Sequence, residues 1–207
     1  MPKFPEPPTA AALARIVPHY RILAAGALLW RVYFQGGTHP AAWNTFRRYG
    51  PTSSRFDHHL PPPRLQERAV LYGAESGRIC LAEVFQKDRL IDRELREPWL
   101  AGFTLDLPLR LLDLTGLWPT RAGASMALNS GPRPRARRWS QVIYEAYPDV
   151  QGVAYPSSMH GNHLAVVLYE RALSALPSSP VFHRPLLDLA LLPALRRIAR
   201  DIGYGLI

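Results

Sequence analysis

Residues 69–88 read AVLYGAESGRICLAEVFQKD, and the period of their apolar pattern changes once. Ala69 to Ala74 is a short run of aliphatic and aromatic side chains, which predicts a strand. Ser76 then stands where a helix N-cap belongs. Behind it Ile79, Ala82, Val84 and Phe85 follow helical spacing. Glu83 falls near one edge of that buried face. Cys80 lies within the apolar pattern and reads as a buried structural thiol rather than a nucleophile.

Working outward toward the N-terminus, Leu28 to Phe34 (LLWRVYF) predicts another strand. Before it Thr9 is placed to cap a short helix, and the proline-rich first nine residues read as a loose arm. After it Pro40 opens a segment, AAWNTFRRY, that reads as helical. Residues 50 to 68 read as loop. Toward the C-terminus, strands are expected at Trp99 to Leu105, Arg110 to Leu114, Gly152 to Tyr155 and His163 to Glu170. Helices are expected at Thr120 to Leu128, at Pro134 to Tyr147, and from Pro193 to Gly203. Strands and helices mix without strict alternation, which points to an α+β domain rather than a doubly wound sheet. The expected division is an arm with a short helix over residues 1–20 and one domain over 21–207.

Composition narrows the class. The chain has 207 residues, 47% of them hydrophobic, enough for one sizeable core. The apolar run Ile22 to Trp30 is too short to span a membrane, and arginines bound it. Glu6 and four prolines occupy the place of a signal-peptide core, so a cytoplasmic protein is expected. One cysteine excludes an internal disulfide and a multi-cysteine zinc site. The net charge of +9 suits an anionic partner. Its densest run holds Arg133, Arg135, Arg137 and Arg138, at the start of an amphipathic helix. That run leaves a nucleic-acid-binding or regulatory module as an alternative, although no aromatic-interleaved binding module surrounds it. No Walker sequence, GxGxxG or G-x-S-x-G is present. His39, His58, His59, His160 and His163 follow no metal-ligand spacing, and no metal is expected.

Four segments, in order, resemble the RES family. They are WRVY (30–33), SSRFDHH (53–59), VLYGAESGRICLAEVF (70–85) and GVAYPSS (152–158). LLDLTG (111–116) and RRWSQVIYE (137–145) fall between them in the family's order. The arginine, glutamate and serine that name the family fall on Arg31, Glu83 and Ser157, and Arg55 and Tyr72 match further active-site positions. The resemblance implies a fold like the ADP-ribosyltransferase core, with NAD+ as substrate in a cleft between sheets. It implies cleavage of the nicotinamide–ribose bond by phosphorolysis or hydrolysis, with inorganic phosphate as a co-substrate in the first case, or ADP-ribosyl transfer to a target protein. It also implies a toxin whose active site is covered by an Xre-like antitoxin. The sequence departs from the family at Ser53-Ser54, where a glycine pair is usual, at Asp57 for asparagine, and at Ser158 for a common arginine. Those departures leave a catalytically inactive interaction protein with a RES fold as a further alternative.

Chemistry gives each residue a task. Pyrophosphate calls for forked cationic donors, which suits Arg31 and Arg55. An arginine inside an apolar strand, as Arg31 is, is costly unless paired or functional. Cleaving the glycosidic bond builds positive charge on the ribose, and the Glu83 carboxylate is the candidate to stabilise it. The Tyr72 ring is placed to stack on nicotinamide. Ser157 offers a hydroxyl to the carboxamide or a phosphate, and His160 and Asn162 are expected to line the same cleft.

Overall fold

The structure is a computed structural model that describes residues 4–207. The chain runs through α1 (Ala10–Leu13), β1 (Tyr20–Leu23), β2 (Leu28–Phe34), β3 (Arg47–Gly50), β4 (Arg64–Ala74), α2 (Gly77–Val84) and β5 (Leu90–Ile91). It continues through β6 (Pro98–Thr104), β7 (Leu109–Asp113), α3 (Trp118–Arg121), α4 (Ala127–Ser130) and α5 (Arg133–Ala146). The last elements are β8 (Gly152–Pro156), β9 (Leu164–Tyr169), β10 (Phe182–Pro185), α6 (Leu192–Ile202) and β11 (Gly205–Leu206).

Among the described residues nine strands form one mixed sheet in the order β1-β7-β8-β9-β4-β2-β6-β10, with β3 also on β4. Strands β7 and β8 are parallel, and a crossover through α3, α4 and α5 joins them, as parallel neighbours require. The domain is α+β, as expected. Each face of the sheet carries its own core. Val70, Ile79, Leu81, Trp118, Trp139, Ile143 and Val167 pack on the helical side. Leu29, Tyr33, Trp43, Leu71, Phe103, Ala154 and Leu168 pack on the other. The alternation Val70/Leu71 and Val167/Leu168 shows the pleat feeding both.

One irregularity positions the functional region. Strand β2 meets β4 at a single pair, Trp30 with Ala74. Farther along the same side of β4, β3 takes over, with Arg47 opposite Val70. The two strands therefore fork around β4. Helix α2 sits against the fork, with its Cys80 thiol donating to the Trp30 carbonyl at 3.1 Å. Ser76 caps α2 as predicted, accepting from the Ile79 N–H.

Several expectations fail, each for a physical reason. AAWNTFRRY is not helical. Trp43 is buried in the second core, and Arg47–Gly50 pairs with β4, so tertiary contacts override local pattern. Strand β4 begins at Arg64, inside the stretch read as loop. Its first residues pair only with β3 and stay exposed, hence their polar sequence. The helix expected over Thr120 to Leu128 splits in two around Gly123, whose φ of +84° no helix accepts. The arm is docked from Phe4 onward. The Phe4 ring is 6% exposed, the Trp139 indole donates to the Pro5 carbonyl, and Glu6 pairs with Arg135 and Arg138. Arg135 also bonds the Phe4 carbonyl.

Trp139 is fully buried in the helical-side core. Trp139→Ala is therefore expected to lower unfolding stability by about 3–5 kcal/mol. Arg137→Ala on the same helix should change it by less than about 0.5 kcal/mol. Urea titration of both variants measures the difference.

Candidate functional site

The loop between β3 and β4 carries Arg55, and a buried carboxylate shapes it. Asp57 is 0% exposed. It accepts from the Thr52 N–H at 2.7 Å, the Thr52 hydroxyl at 2.9 Å and the His59 N–H at 3.2 Å. The His59 ring meets it at 2.5 Å and Arg47 at 3.0 Å. Burial alone would raise its pKa. The His59 contact, the Arg47 charge and the Thr52 N–H outweigh burial and hold it well below the usual carboxylate range. Asp57 thus faces inward, and its charge is spent on the loop.

The same loop holds Phe56 at φ 60°, a left-handed conformation unusual for a bulky residue. Three contacts fix it there. The ring is fully buried against Tyr155, with centroids 4.9 Å apart. The Ser140 hydroxyl donates to the Phe56 carbonyl at 2.8 Å. The Tyr72 hydroxyl donates to the neighbouring Arg55 carbonyl at 2.9 Å. Burial pushes the Tyr72 phenol well above its ordinary range, so it stays a neutral donor.

Arg55 extends from this loop toward the α4–α5 corner. Its Nη1 donates to the Gly131 carbonyl at 2.7 Å. Burial lowers its pKa, Arg133 lowers it further, and Glu83 acts in the opposite sense. Arg133 and Glu83 therefore each lie within electrostatic reach of Arg55.

Glu83 is half-buried near the end of α2, where the helical face meets the end of β8. The Ser157 hydroxyl, fully buried and 74 residues away in sequence, donates to Glu83 Oε1 at 2.5 Å. Gln86 Nε2 donates to the Glu83 carbonyl at 2.6 Å and contacts Oε2 at 3.3 Å. Both carboxylate oxygens are thus held. Ser157 is itself fixed by the β8–β9 turn, through its N–H to the His163 carbonyl at 2.8 Å. In that turn Asn162 is exposed at φ 61°, and the His160 ring packs on His163.

Tyr72, Arg55, Glu83 and Ser157 thus gather on the helical side of β4. Arg31 turns elsewhere. It shares the parity of Leu29 and Tyr33, which belong to the opposite core. Its Nη1 donates to the Trp43 and Thr45 carbonyls, each at 2.9 Å, and its guanidinium lies 5.8 Å from the Tyr33 ring centroid. Burial brings its pKa down to about 10, with nearby Arg47 adding to the fall. Arg31 is the first residue of β2 beyond the Trp30–Ala74 pair, so it stands at the mouth of the fork.

Sequence reasoning missed Gln86, Arg133 and the Asp57 hub. Gln86 follows Glu83 by three residues, a spacing that brings side chains together on a helix, so it was the readable signal. Two surface hollows, of about 520 and 340 Å³, lie elsewhere, beside Asp92 and Ile207 and beside Ile22 and Arg110. No group of three or more His, Cys, Asp or Glu side chains among the described residues could hold a metal. No helix among them is long and apolar enough to cross a membrane.

The site thus lies on one face of a forked mixed sheet in an α+β domain, with a glutamate and a serine joined by a hydrogen bond. The RES domain model matches residues 28–190, and the chain belongs to that family. Among solved structures, the chain is similar to one from the crystal structure of the M. tuberculosis MbcT–MbcA toxin–antitoxin complex. The TM-score is 0.56 at 16% identity, over 91% of this chain and 96% of that one, a likeness of fold. No curated protein matches the sequence.

A second buried group couples the same region to pH. His58 is fully buried, with its ring 4.3 Å from Tyr144 and 4.4 Å from Tyr169 by centroid. Burial lowers its pKa, and Glu170 at 3.7 Å only partly offsets this. Burial would raise Glu170, but His58, the Tyr144 hydroxyl and the Ala69 N–H bring it down to about 2. His58, Glu170 and Asp57 all have their pKa depressed in the folded state, so each contribution is complete above its unfolded pKa and lost as pH falls. Stability should decline first below about pH 6.5 through His58, then below about pH 4.5 through Asp57 and Glu170. Urea unfolding at several pH values measures both stages, and His58→Phe should remove the first. Asp57→Ala, which strips the partner from Arg47 and His59, should cost about 3–5 kcal/mol at neutral pH.

Proposed function

We propose that the protein binds NAD+ and breaks its nicotinamide–ribose bond, acting as the toxin of a toxin–antitoxin pair. The observation that carries this reading is the part-buried 2.5 Å hydrogen bond from Ser157 to Glu83, which draws a carboxylate into a region that also holds Arg55 and Tyr72. In the reaction, the electron pair of the C1′–N bond leaves with nicotinamide, which departs neutral. Positive charge then develops on the ribose. Glu83, with its orientation set by Ser157, stabilises that charge at a position bordered by buried side chains, where electrostatics are strong. The acceptor is phosphate, water or a protein side chain. It adds at C1′: phosphate through an ionised oxygen with no proton to lose, water or a side chain with release of its proton to solvent.

Arg55 grips the pyrophosphate, and Tyr72 anchors the Arg55 loop while its ring lines the nicotinamide side. Ser157 contributes both to substrate binding and to the orientation of Glu83. In this reading Arg31, turned to the opposite face and held by the Trp43 and Thr45 carbonyls, braces the fork and does not share the anion that Arg55 grips. In this reading residues 21–207 form the catalytic domain, with 1–20 as an arm packed on it. The partner is an Xre-like antitoxin that covers the active site in the cytoplasm, as the MbcT–MbcA complex pairs a toxin with an antitoxin.

Glu83→Ala is expected to reduce nicotinamide release from NAD+ by at least about 100-fold while leaving the circular dichroism spectrum intact. Ser157→Ala should reduce it less, since the carboxylate stays. Release by the folded Glu83→Ala protein at the wild-type rate refutes the assignment.

A further inference from the structure

The basic run at the start of α5 is not one surface. Glu6 pairs with two of its arginines, Arg135 at 3.1 Å and Arg138 at 2.6 Å. Arg133 is different. It is exposed, it forms no ion pair among the described residues, and it leans back over the site. Its Nη2 donates to Gln86 Oε1 at 2.7 Å. The other end of that same amide contacts Glu83. A continuous line of hydrogen bonds therefore runs from Ser157 through Glu83 and Gln86 to Arg133. From the opposite side Arg55 bonds the carbonyl of Gly131, two residues before Arg133 in the chain. Two guanidinium groups are thus held near one another, and Arg133 meets only a neutral amide. Like charges so placed repel until an anion joins them, and forked donors suit phosphate oxygens.

We propose that Arg133 is a second anion-binding arginine of this site, paired with Arg55 for a phosphate group and held at its post by Gln86. The proposal rests on the NAD+ reading for its substrate, because the phosphate is then either the dinucleotide's pyrophosphate or the inorganic acceptor. The amide of Gln86 is a positioning group: one end orients Arg133, the other steadies the Glu83 carboxylate. Arg137, on the same helix and outside this line, is the control.

The test is binding of inorganic pyrophosphate by calorimetry, with wild-type protein and variants that retain the native circular dichroism spectrum. Arg133→Ala should weaken binding about tenfold, which is about 1.4 kcal/mol. Arg133→Lys should recover part of it, and Arg137→Ala should match wild type. Gln86→Leu should weaken binding in the wild-type background and add nothing once Arg133 is alanine, the signature of one coupled unit. Pyrophosphate binding that Arg133→Ala leaves unchanged, or wild-type protein that binds no pyrophosphate, overturns the proposal. Turnover then separates the two phosphate sources. A KM raised for NAD+ alone assigns Arg133 to the dinucleotide, and one raised for phosphate alone assigns it to the acceptor. Wild-type protein that binds pyrophosphate yet releases no nicotinamide sinks the NAD+ reading while sustaining Arg133 as an anion site.

Discussion

The site depends on one desolvated negative charge. Asp57 has no access to water, and an unpaired carboxylate there costs several kcal/mol. Its partners therefore must assemble: Arg47 from β3, Thr52 and His59 from the loop itself. Once they do, the chain between them has little freedom. Phe56 is forced to a positive φ, which its buried ring and the Ser140 bond sustain. Arg55, one residue earlier, is aimed at the α4–α5 corner as a result. A surface arginine becomes a placed one because a neighbour two residues on cannot reach solvent.

The second frame is built from helix α2. Its start is set by the Ser76 cap, and close packing against β2 fixes its side. A Cβ on Gly77 would come within 3.3 Å of Leu100 and 3.5 Å of Trp30. Glu83 then emerges where the helix ends, beside Ser157 at the end of β8. Neither residue is on a flexible tip. Each is held by an element with buried core residues, so the fold itself sets the geometry of the pair.

Much of this was readable from the sequence. The Ala69–Ala74 strand, the Ser76 cap and the helix bearing Glu83 follow from local patterns that the fold does not contradict. The α5 helix and the paired strands around Ala154 and Val167 are equally local. What was hidden depends on partners distant in the chain. AAWNTFRRY has a helix-compatible pattern, yet Trp43 finds a core and Arg47 a strand that only the folded chain supplies. Asp57 read only as a departure from the family's asparagine, because its inward partners are set by loop geometry, not by spacing. Ser157 looked like a ligand for substrate, and its 74-residue reach to Glu83 has no local signature. Arg31 was expected beside Glu83. Strand parity turns its guanidinium to the other face, and parity was readable, but the fork that decides its meaning was not.

The position of β9 has a consequence for how the molecule comes into being. It lies between β4 and β8, hydrogen-bonded to both, although it is made after either. Without it the sheet is two separate pieces, one carrying β4 and α2, the other β7 and β8. Glu83 belongs to the first piece and Ser157 to the second. Strand β9 is thus a keystone driven in late, and the glutamate and serine meet across the seam it closes. A chain still emerging from the ribosome, short of Tyr169, would hold every ingredient of the pair without the strand that joins the two halves of the sheet.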